Sequence, residues 1–265
     1  MRKELLDHGY LEAVEYWGSD ERIVEAARMS TGKGFLGWGP NRFCRFCERT
    51  AEDLGAVGMW QHCSKHEDGA LLHEMEEKPG DEKLLRYLWE HKHATPFEMA
   101  GIVVEVQAPI FVFREWHRHR TQSYNELSAR YTPLPDLNYL PSVERLLQVN
   151  DATKNRQASG TGVPLTSEQA EAFRRRLRYA YEATQVVYDD GLSLGVAKEL
   201  ARLPVPVARY SRMRASANLR NWLLFLTLRM DSAAMWEIRQ YANAVGELIA
   251  ERFPRTWQLF EEGRR

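Results

Sequence analysis

The run Ile102-Val103-Val104-Glu105-Val106-Gln107-Ala108-Pro109 predicts a β-strand. The apolar residues at 102, 104 and 106 share one face, whereas Glu105 and Gln107 share the other. A period of two residues with one apolar face is typical of a strand that covers a core. The strand is expected to end at Pro109, because proline has no N–H to donate to a neighbouring strand.

Outward from this strand, the periodicity is mostly helical. Thr166 and Gln169 form a capping-box pattern, and the apolar stripe that follows, including Phe173 and Val187, is expected to face the core. A second extended segment is expected from 205 to 216, and further helices are expected to begin near Asp20, Asp81 and Asp231.

These strands and helices do not alternate in a regular order, and no internal repeat is present. The fold class is therefore predicted to be α+β, with a mixed or antiparallel sheet flanked by helices. The 265 residues are expected to form a single domain, 1–265, with a cysteine-rich insertion at about 31–80.

Composition excludes several classes of protein. Lys plus Arg (36) nearly equals Asp plus Glu (37), so no overall charge favours binding to nucleic acid or to an acidic membrane. No apolar stretch approaches the ~20 residues of a membrane span, and no apolar signal segment is seen. The expected compartment is the cytoplasm, with neither nucleic acid nor membrane as a partner.

The segment Gly32-Lys33-Gly34-Phe35-Leu36-Gly37 matches the Gly-x-Gly-x-x-Gly pattern of dinucleotide-binding folds. That pattern needs a strand before it and an apolar helix after it. Here a predicted helix precedes the glycines and no apolar helix follows. We therefore expect no Rossmann fold.

All three cysteines lie in the insertion. Cys44 and Cys47 are separated by two residues, as are Cys63 and His66. Paired ligands at this spacing suit tetrahedral zinc, so the four residues are predicted to hold a structural zinc in a small subdomain. The alternative is three unligated thiols in a variable insertion.

The most unusual composition lies between Arg114 and Tyr131. Four arginines and two histidines occur in the 17 residues from 114 to 130 of a nearly neutral chain. Guanidinium groups match phosphate oxygens in pairs, so this segment is suited to binding anions. A solvated helical face and a weak RNA-binding patch are the alternatives on composition alone.

The order of residues in this segment is more specific than its composition. Arg118-His119-Arg120, Ser123, Ser128 and Arg130 have the spacing of the signature of the flavin-dependent thymidylate synthases, and the chain resembles that family. Further similarity lies at Ala27–Ser30, His93–Glu98, Asn218–Arg220, Arg229–Ser232 and Trp236–Ile238.

The resemblance implies roles for individual residues. Arg229 would be catalytic, because it matches the arginine that grips the uracil ring. Positions that hold FAD are Thr95, Arg118, His119, Arg120 and Glu126, with Asn218 and Arg220 supplied by another subunit. Positions around the substrate are Glu115, Trp116, Arg118, Glu126, Ser128, Arg130 and Arg229, with Arg202 reaching the phosphate from a neighbouring chain.

The resemblance also implies an activity: methylation of dUMP to dTMP, with 5,10-methylenetetrahydrofolate as carbon donor and FAD, reduced by NADPH, as hydride source. A homotetramer with shared active sites is implied as well. Glu115 departs from the family, which often has glutamine there, and Leu224 stands where asparagine or histidine often touches the flavin. Two other functions stay open: a zinc-containing RNA-binding module, and a nucleotide-binding family member without catalysis.

Overall fold

The computed structural model describes residues 2–47, 49, 51–58, 63, 65, 72–148 and 165–264. They form two compact units. The first comprises Met1–Trp17, Gly101–Arg252 and Arg264, and the second comprises Gly18–Ala100, Phe253–Gly263 and Arg265. The second unit contains the cysteine-rich insertion. The single-domain assignment of 1–265 stays a prediction.

The strands are β1 (Arg2–Leu5), β2 (Gly9–Trp17), β3 (Asn41–Cys44), β4 (Met75–Lys78), β5 (Gly101–Pro109), β6 (Ser123–Glu126) and β7 (Tyr210–Asn218). The α-helices are α1 (Asp20–Arg28), α2 (Ala51–Gly58), α3 (Asp81–Glu90), α4 (Ile110–Trp116), α5 (Val143–Leu147), α6 (Ser167–Ser193), α7 (Lys198–Ala201), α8 (Leu219–Arg229), α9 (Trp236–Arg252) and α10 (Pro254–Glu262). Short 3₁₀ helices span Met29–Thr31 and Thr95–Met99.

The first unit is built on a five-stranded sheet in the order β1-β2-β5-β7-β6. Each neighbouring pair is antiparallel. The predicted strand from Ile102 to Pro109 is confirmed as part of β5, and its side chains at 102, 104 and 106 are fully buried. The α+β prediction and the exclusion of a Rossmann fold are therefore confirmed.

The second predicted extended segment becomes β7, but this strand begins only at Tyr210. The prolines at 204 and 206 cannot donate to a ladder, and a turn closed by the Arg209 N–H donating to the Pro206 carbonyl at 3.0 Å comes directly before the strand. Antiparallel pairing then matches β5 and β7 over nine residues, from Gly101 opposite Asn218 to Pro109 opposite Tyr210.

Two predicted helices differ from the observed ones. Asp231 does not begin α9, because its carboxylate accepts the Ala233 N–H at 2.7 Å and so caps a turn before the helix. Thr166 and Gln169 form the predicted capping box of α6. The stripe that follows faces the core only in part, since Phe173 and Val187 are 46% and 58% exposed.

In the second unit, α1, α3 and α10 pack together. The insertion leaves and rejoins these helices near the fully buried Asp81, whose carboxylate accepts from the Arg28 guanidinium and from the Leu36 N–H at 2.6 Å. Gly32 ends the 3₁₀ helix at Met29–Thr31 in a left-handed conformation, with φ of 64°. This conformation is easily adopted by glycine and accounts for Gly32 without a bound dinucleotide.

Within the described ranges, none of the helices combines the length and the apolar character that crossing a bilayer requires.

The start of α10 gives a test of the second unit. The N–H groups of its first turn have no acceptor within the helix. The buried Asp20 carboxylate accepts from two of them, Arg255 N at 2.9 Å and Thr256 N at 3.2 Å, and from Thr256 Oγ1 at 2.6 Å. Asp20→Ala leaves these donors unpaired and should cost about 2–3 kcal/mol of unfolding free energy. Asp20→Asn, which keeps one acceptor oxygen, should cost less. Urea unfolding of the three proteins measures this, and equal losses for both variants would contradict the assignment.

Candidate active site

The Arg/His segment is held in place by buried aromatic side chains. Trp116, the last residue of α4, is fully buried and stacks on Phe225 of α8 with ring centroids 4.8 Å apart. Its indole N–H donates to Gln122 at 3.0 Å. The Tyr124 hydroxyl donates to the carbonyls of Trp116 and His119 at 3.2 and 2.7 Å. The turn between α4 and β6 therefore has a defined shape.

This arrangement changes the interpretation of Trp116. The resemblance placed it at the substrate, but a fully buried indole supports the turn from the core side. The residues on either side of it, Glu115 and His117, keep part of their surface exposed.

Arg229, at the end of α8, is bound by two hydrogen bonds to Glu115 of α4 and by one to His119 of this turn. Its Nη1 donates to the Glu115 carboxylate at 2.8 Å, its Nη2 to the Glu115 carbonyl at 3.1 Å, and its Nε to His119 Nε2 at 2.9 Å. A guanidinium has five N–H donors. These three contacts leave one further N–H on each terminal nitrogen that can be offered to a ligand.

The Arg229 contact also determines the state of His119. Nε2 accepts a hydrogen bond, so the ring is neutral and carries its proton on Nδ1. Partial burial, with the positive charge of Arg229 as a second cause, lowers the pKa of His119 from 6.5 to about 4. At neutral pH the positive charge of this pair therefore resides on Arg229.

A cavity of about 520 Å³ lies beside the segment. Glu126, Ser128 and Arg202 line it, so three of the predicted substrate residues come together within a single chain. The resemblance assigned Arg202 to a neighbouring chain, whereas here it borders the same cavity as Ser128. Arg114 and His117 also line the cavity; both lie in the basic segment, but no role was predicted for either.

Helix α7 holds Arg202 at this cavity. Lys198 Nζ donates to the Tyr131 carbonyl at 2.9 Å, and Glu199 pairs with Arg130 at 2.9 Å. Arg202 follows directly as the C-terminal cap of α7. The side chains of Arg130 and Glu199 are 59% and 50% exposed, so this pair is accessible to a ligand.

Comparison with known proteins shows the family. The family model "Thymidylate synthase complementing protein" matches residues 12–255. A flavin-dependent thymidylate synthase from Thermus thermophilus is 36% identical, with 97% of this chain and 77% of that protein covered. One from Thermosipho melanesiensis is 35% identical, with 98% and 93% covered. This chain belongs to the flavin-dependent thymidylate synthase family.

A solved structure agrees with this assignment. The UMP/dUMP methylase PolB from Streptomyces cacaoi, bound with 5-Br dUMP, superposes with a TM-score of 0.73 at 29% identity, with 99% of each chain covered. The same methylase bound with 5-Br UMP gives a TM-score of 0.71 at 27% identity. The chain is thus a member of an enzyme family. Its similar proteins are named thymidylate synthases and, for the solved structures, a UMP/dUMP methylase.

Most of the positions that the family resemblance assigned to FAD lie in the first unit. In the first unit, Arg118 and Arg120 are exposed in the turn after α4, and Arg220 is exposed in the first turn of α8. Asn218 caps α8 by accepting the Asn221 N–H at 2.9 Å. The amide of Asn221 donates to the Thr121 carbonyl at 3.1 Å, which brings the start of α8 beside this turn. Thr95 begins a 3₁₀ helix of the second unit.

The three cysteines among the predicted metal ligands form a cluster with a histidine for which no role was predicted. Cys44, Cys47 and Cys63 lie together with His73, and their ligand atoms are all within 4.8 Å of one another. His66, the predicted fourth ligand, lies outside the described residues. The spacing of cysteines in the sequence offered no signal for His73.

Hydrogen bonding favours the thiolate of Cys44. Burial raises the pKa of its thiol, but N–H groups of Cys47 and Phe46 and the side chain of His73 outweigh burial and lower the pKa to about 6. Burial, as the largest cause, raises the pKa of Cys47.

The low pKa of His119 predicts a pH dependence of stability. The unfolded chain binds this proton near pH 6.5 and the native chain only near pH 4. The native state therefore holds its full free energy of unfolding above about pH 6.5, and protonation of His119 lowers that free energy as the pH falls toward 4. His119→Gln keeps a side-chain acceptor but does not titrate, so its urea midpoint should fall less steeply over this range than that of the wild type. Parallel curves for the two proteins would contradict the proposed neutral state of His119.

Proposed function

We propose that this enzyme methylates C5 of dUMP to give dTMP, with 5,10-methylenetetrahydrofolate as carbon donor and FAD, reduced by NADPH, as hydride source. The observation that carries the proposal is the Arg229 guanidinium, held by two hydrogen bonds to Glu115 of α4 and one to His119 of the signature segment, with two N–H donors left over. Family membership supports the class of reaction.

The cavity beside the signature segment is suited to a nucleotide. Arg202 is proposed to bind the phosphate, because a guanidinium matches phosphate oxygens in pairs. Ser128, which lines the cavity, is proposed to orient the nucleotide. Arg130, two residues further along the chain, is proposed to help. Glu126 also lines the cavity and can accept hydrogen bonds from hydroxyl or N–H groups of a ligand.

Arg229 is proposed to activate the uracil ring. C5 of uracil is a poor nucleophile and must gain electron density before it accepts a carbon. Two N–H donors on a cation can bind a uracil carbonyl oxygen and favour loss of the ring-nitrogen proton, which raises that electron density. A cysteine thiolate added to C6 is an alternative activation, but the sequence has no cysteine after Cys63.

Glu115 affects this activation. Its carboxylate fixes Arg229 and partly neutralises its charge, which a glutamine at this position would not do. Glu115 is 43% exposed, so water weakens the neutralisation. Arg229 therefore keeps most of its electrostatic effect on a ligand while its side-chain position stays defined.

The residues at the start of α8 and in the preceding turn fit FAD. Arg118, Arg120 and Arg220 supply exposed positive charge, and Asn218 caps a helix N-terminus whose dipole favours anions. This donor set matches a diphosphate. His119 and Glu126 are further proposed FAD residues of the first unit. Thr95, in the second unit, is proposed as an FAD residue from the family resemblance alone. Reduced flavin, when bound, supplies the hydride for the methyl group.

We further propose a homotetramer with shared active sites. Helix α6 presents exposed apolar side chains, with Tyr179, Val186 and Val187 at 69%, 60% and 58% exposure. Leu224 and Leu228 of α8 are 52% and 60% exposed. Burial of such surfaces against other copies would be favourable.

UMP is a second candidate substrate. The similar PolB structures are described as those of a UMP/dUMP methylase and cover 99% and 98% of this chain. Both nucleotides are therefore to be compared in the same assay.

The RNA-binding alternative is disfavoured by the charge of the insertion. Residues 41–78 contain eight Asp or Glu and five Lys or Arg, so the segment is acidic. An RNA-binding module is expected to be basic. The non-catalytic alternative is decided by turnover.

The activity is tested with the purified chain, FAD, NADPH and methylenetetrahydrofolate. With FAD bound, we expect dTMP from dUMP only when methylenetetrahydrofolate and NADPH are both supplied. Tetrahydrofolate should be the folate product, because the flavin gives up the hydride. Stoichiometric dihydrofolate would contradict the assignment. Flavin bound without any turnover would favour the non-catalytic alternative, and faster turnover of UMP would change the substrate.

Two arginine variants separate the proposed sites. Arg229→Ala should retain the yellow flavin absorbance but lose turnover by about 100-fold or more, the usual cost of an electrostatic donor at the reacting group. Arg229→Lys keeps the charge but not the fork of donors, and should recover little. Arg118→Ala should lose flavin instead. If all three variants kept flavin and wild-type rates, the assigned roles would be wrong.

A further inference from the structure

The cluster of Cys44, Cys47, Cys63 and His73 joins separate parts of the insertion. Cys44 ends β3, Cys47 lies in the turn that follows, and His73 lies two residues before β4 begins at Met75. Cys44 and Met75 are paired in the register of the small sheet. The pairing of β3 with β4 thus places His73 close to Cys44 and Cys47.

Two distances in the cluster are close to the edges of a zinc tetrahedron, and all four ligand atoms lie within 4.8 Å of one another. Zn–S bonds of about 2.3 Å and Zn–N bonds of about 2.0–2.1 Å give S···S edges of about 3.8 Å and S···N edges of about 3.6 Å. Cys44 Sγ and Cys63 Sγ are 3.7 Å apart, and Cys47 Sγ and His73 Nδ1 are 3.4 Å apart. A disulfide would need about 2.05 Å between sulfurs.

We propose that Cys44, Cys47, Cys63 and His73 together bind one zinc ion. Backbone N–H groups hold the sulfur atoms in place, since those of Phe46 and Cys47 donate to the Cys44 sulfur and that of Arg49 donates to the Cys47 sulfur. The Cys44 N–H closes the same turn by donating to the Arg49 carbonyl at 2.9 Å. Such outer hydrogen bonds orient metal ligands.

The role of this zinc is structural. Four protein ligands fill a tetrahedron and leave no position for a substrate. The described part of the insertion between 41 and 78 buries few apolar side chains, namely Phe43, Cys44, Leu54 and Cys63. A two-stranded sheet with so small a core is marginal by itself. Zinc binding therefore supplies the folding free energy that the core lacks.

Metal analysis of the purified full-length protein tests the proposal. Wild-type protein should contain about one zinc per chain, and Cys63→Ser and His73→Ala should each lose most of it. His73→Cys should retain zinc, because it replaces one ligand with another. His66→Ala is the matched control and should also retain zinc, since the proposal takes His73 and not His66 as the fourth ligand.

Two further measurements keep the proposal falsifiable if a variant fails to fold. Cobalt added to metal-free wild-type protein should give the intense visible absorption of a tetrahedral thiolate site. Chelation should raise proteolysis between residues 31 and 80, while flavin absorbance, read on the same sample, falls less.

Three outcomes would overturn the proposal: wild-type protein that takes up no zinc, three thiols that all react rapidly with and without zinc, or loss of zinc in His66→Ala but not in His73→Ala. None of these concerns dUMP turnover, so failure of the zinc proposal and failure of the proposed activity are distinguishable.

Discussion

The first unit depends on the antiparallel pairing of β5 with β7. Nine consecutive residue pairs join the two strands, and each strand leads directly into a helix that carries active-site residues. Pro109 ends β5 and α4 follows at Ile110, whereas Asn218 ends β7 and caps α8. A slip of one residue in this register would turn every buried side chain of either strand toward the opposite face.

The two helices are held to each other by aromatic packing. Trp116 of α4 contacts both Trp222 and Phe225 of α8, with ring centroids 6.2 and 4.8 Å apart. Removing a buried aromatic side chain costs about 3–5 kcal/mol. The Arg229–Glu115 pair is only partly buried, with Glu115 43% exposed, so water weakens it. The aromatic contacts therefore determine the distance between the helices, and the hydrogen bonds of Arg229 determine only the direction of its guanidinium.

This division explains how a site rich in positive charge is tolerated. Arg118, Arg120 and Arg202 stay exposed to water, where mutual repulsion is screened. Arg229 is the more buried cation, with a side chain 17% exposed, and it is balanced by the Glu115 carboxylate. His119, which lies against Arg229, stays neutral, because a second positive charge there would be unfavourable. Of the neighbouring His119 and Arg229, only Arg229, the group proposed to act on the uracil ring, therefore carries a charge.

The sequence by itself determined the strand at Ile102–Val106, the capping box of α6 and the identity of the signature segment, because these depend on residues close together in the chain. It did not determine the burial of Trp116 or the exposure of Phe173, since amphipathic spacing shows that a face is apolar but not what covers it. The ligand spacing Cys63-x-x-His66 pointed to one histidine, whereas the pairing of β3 with β4 placed His73 in the cluster. Only the tertiary structure could bring His73 into the cluster, because contacts between residues distant in sequence depend on strand register, which local spacing does not encode.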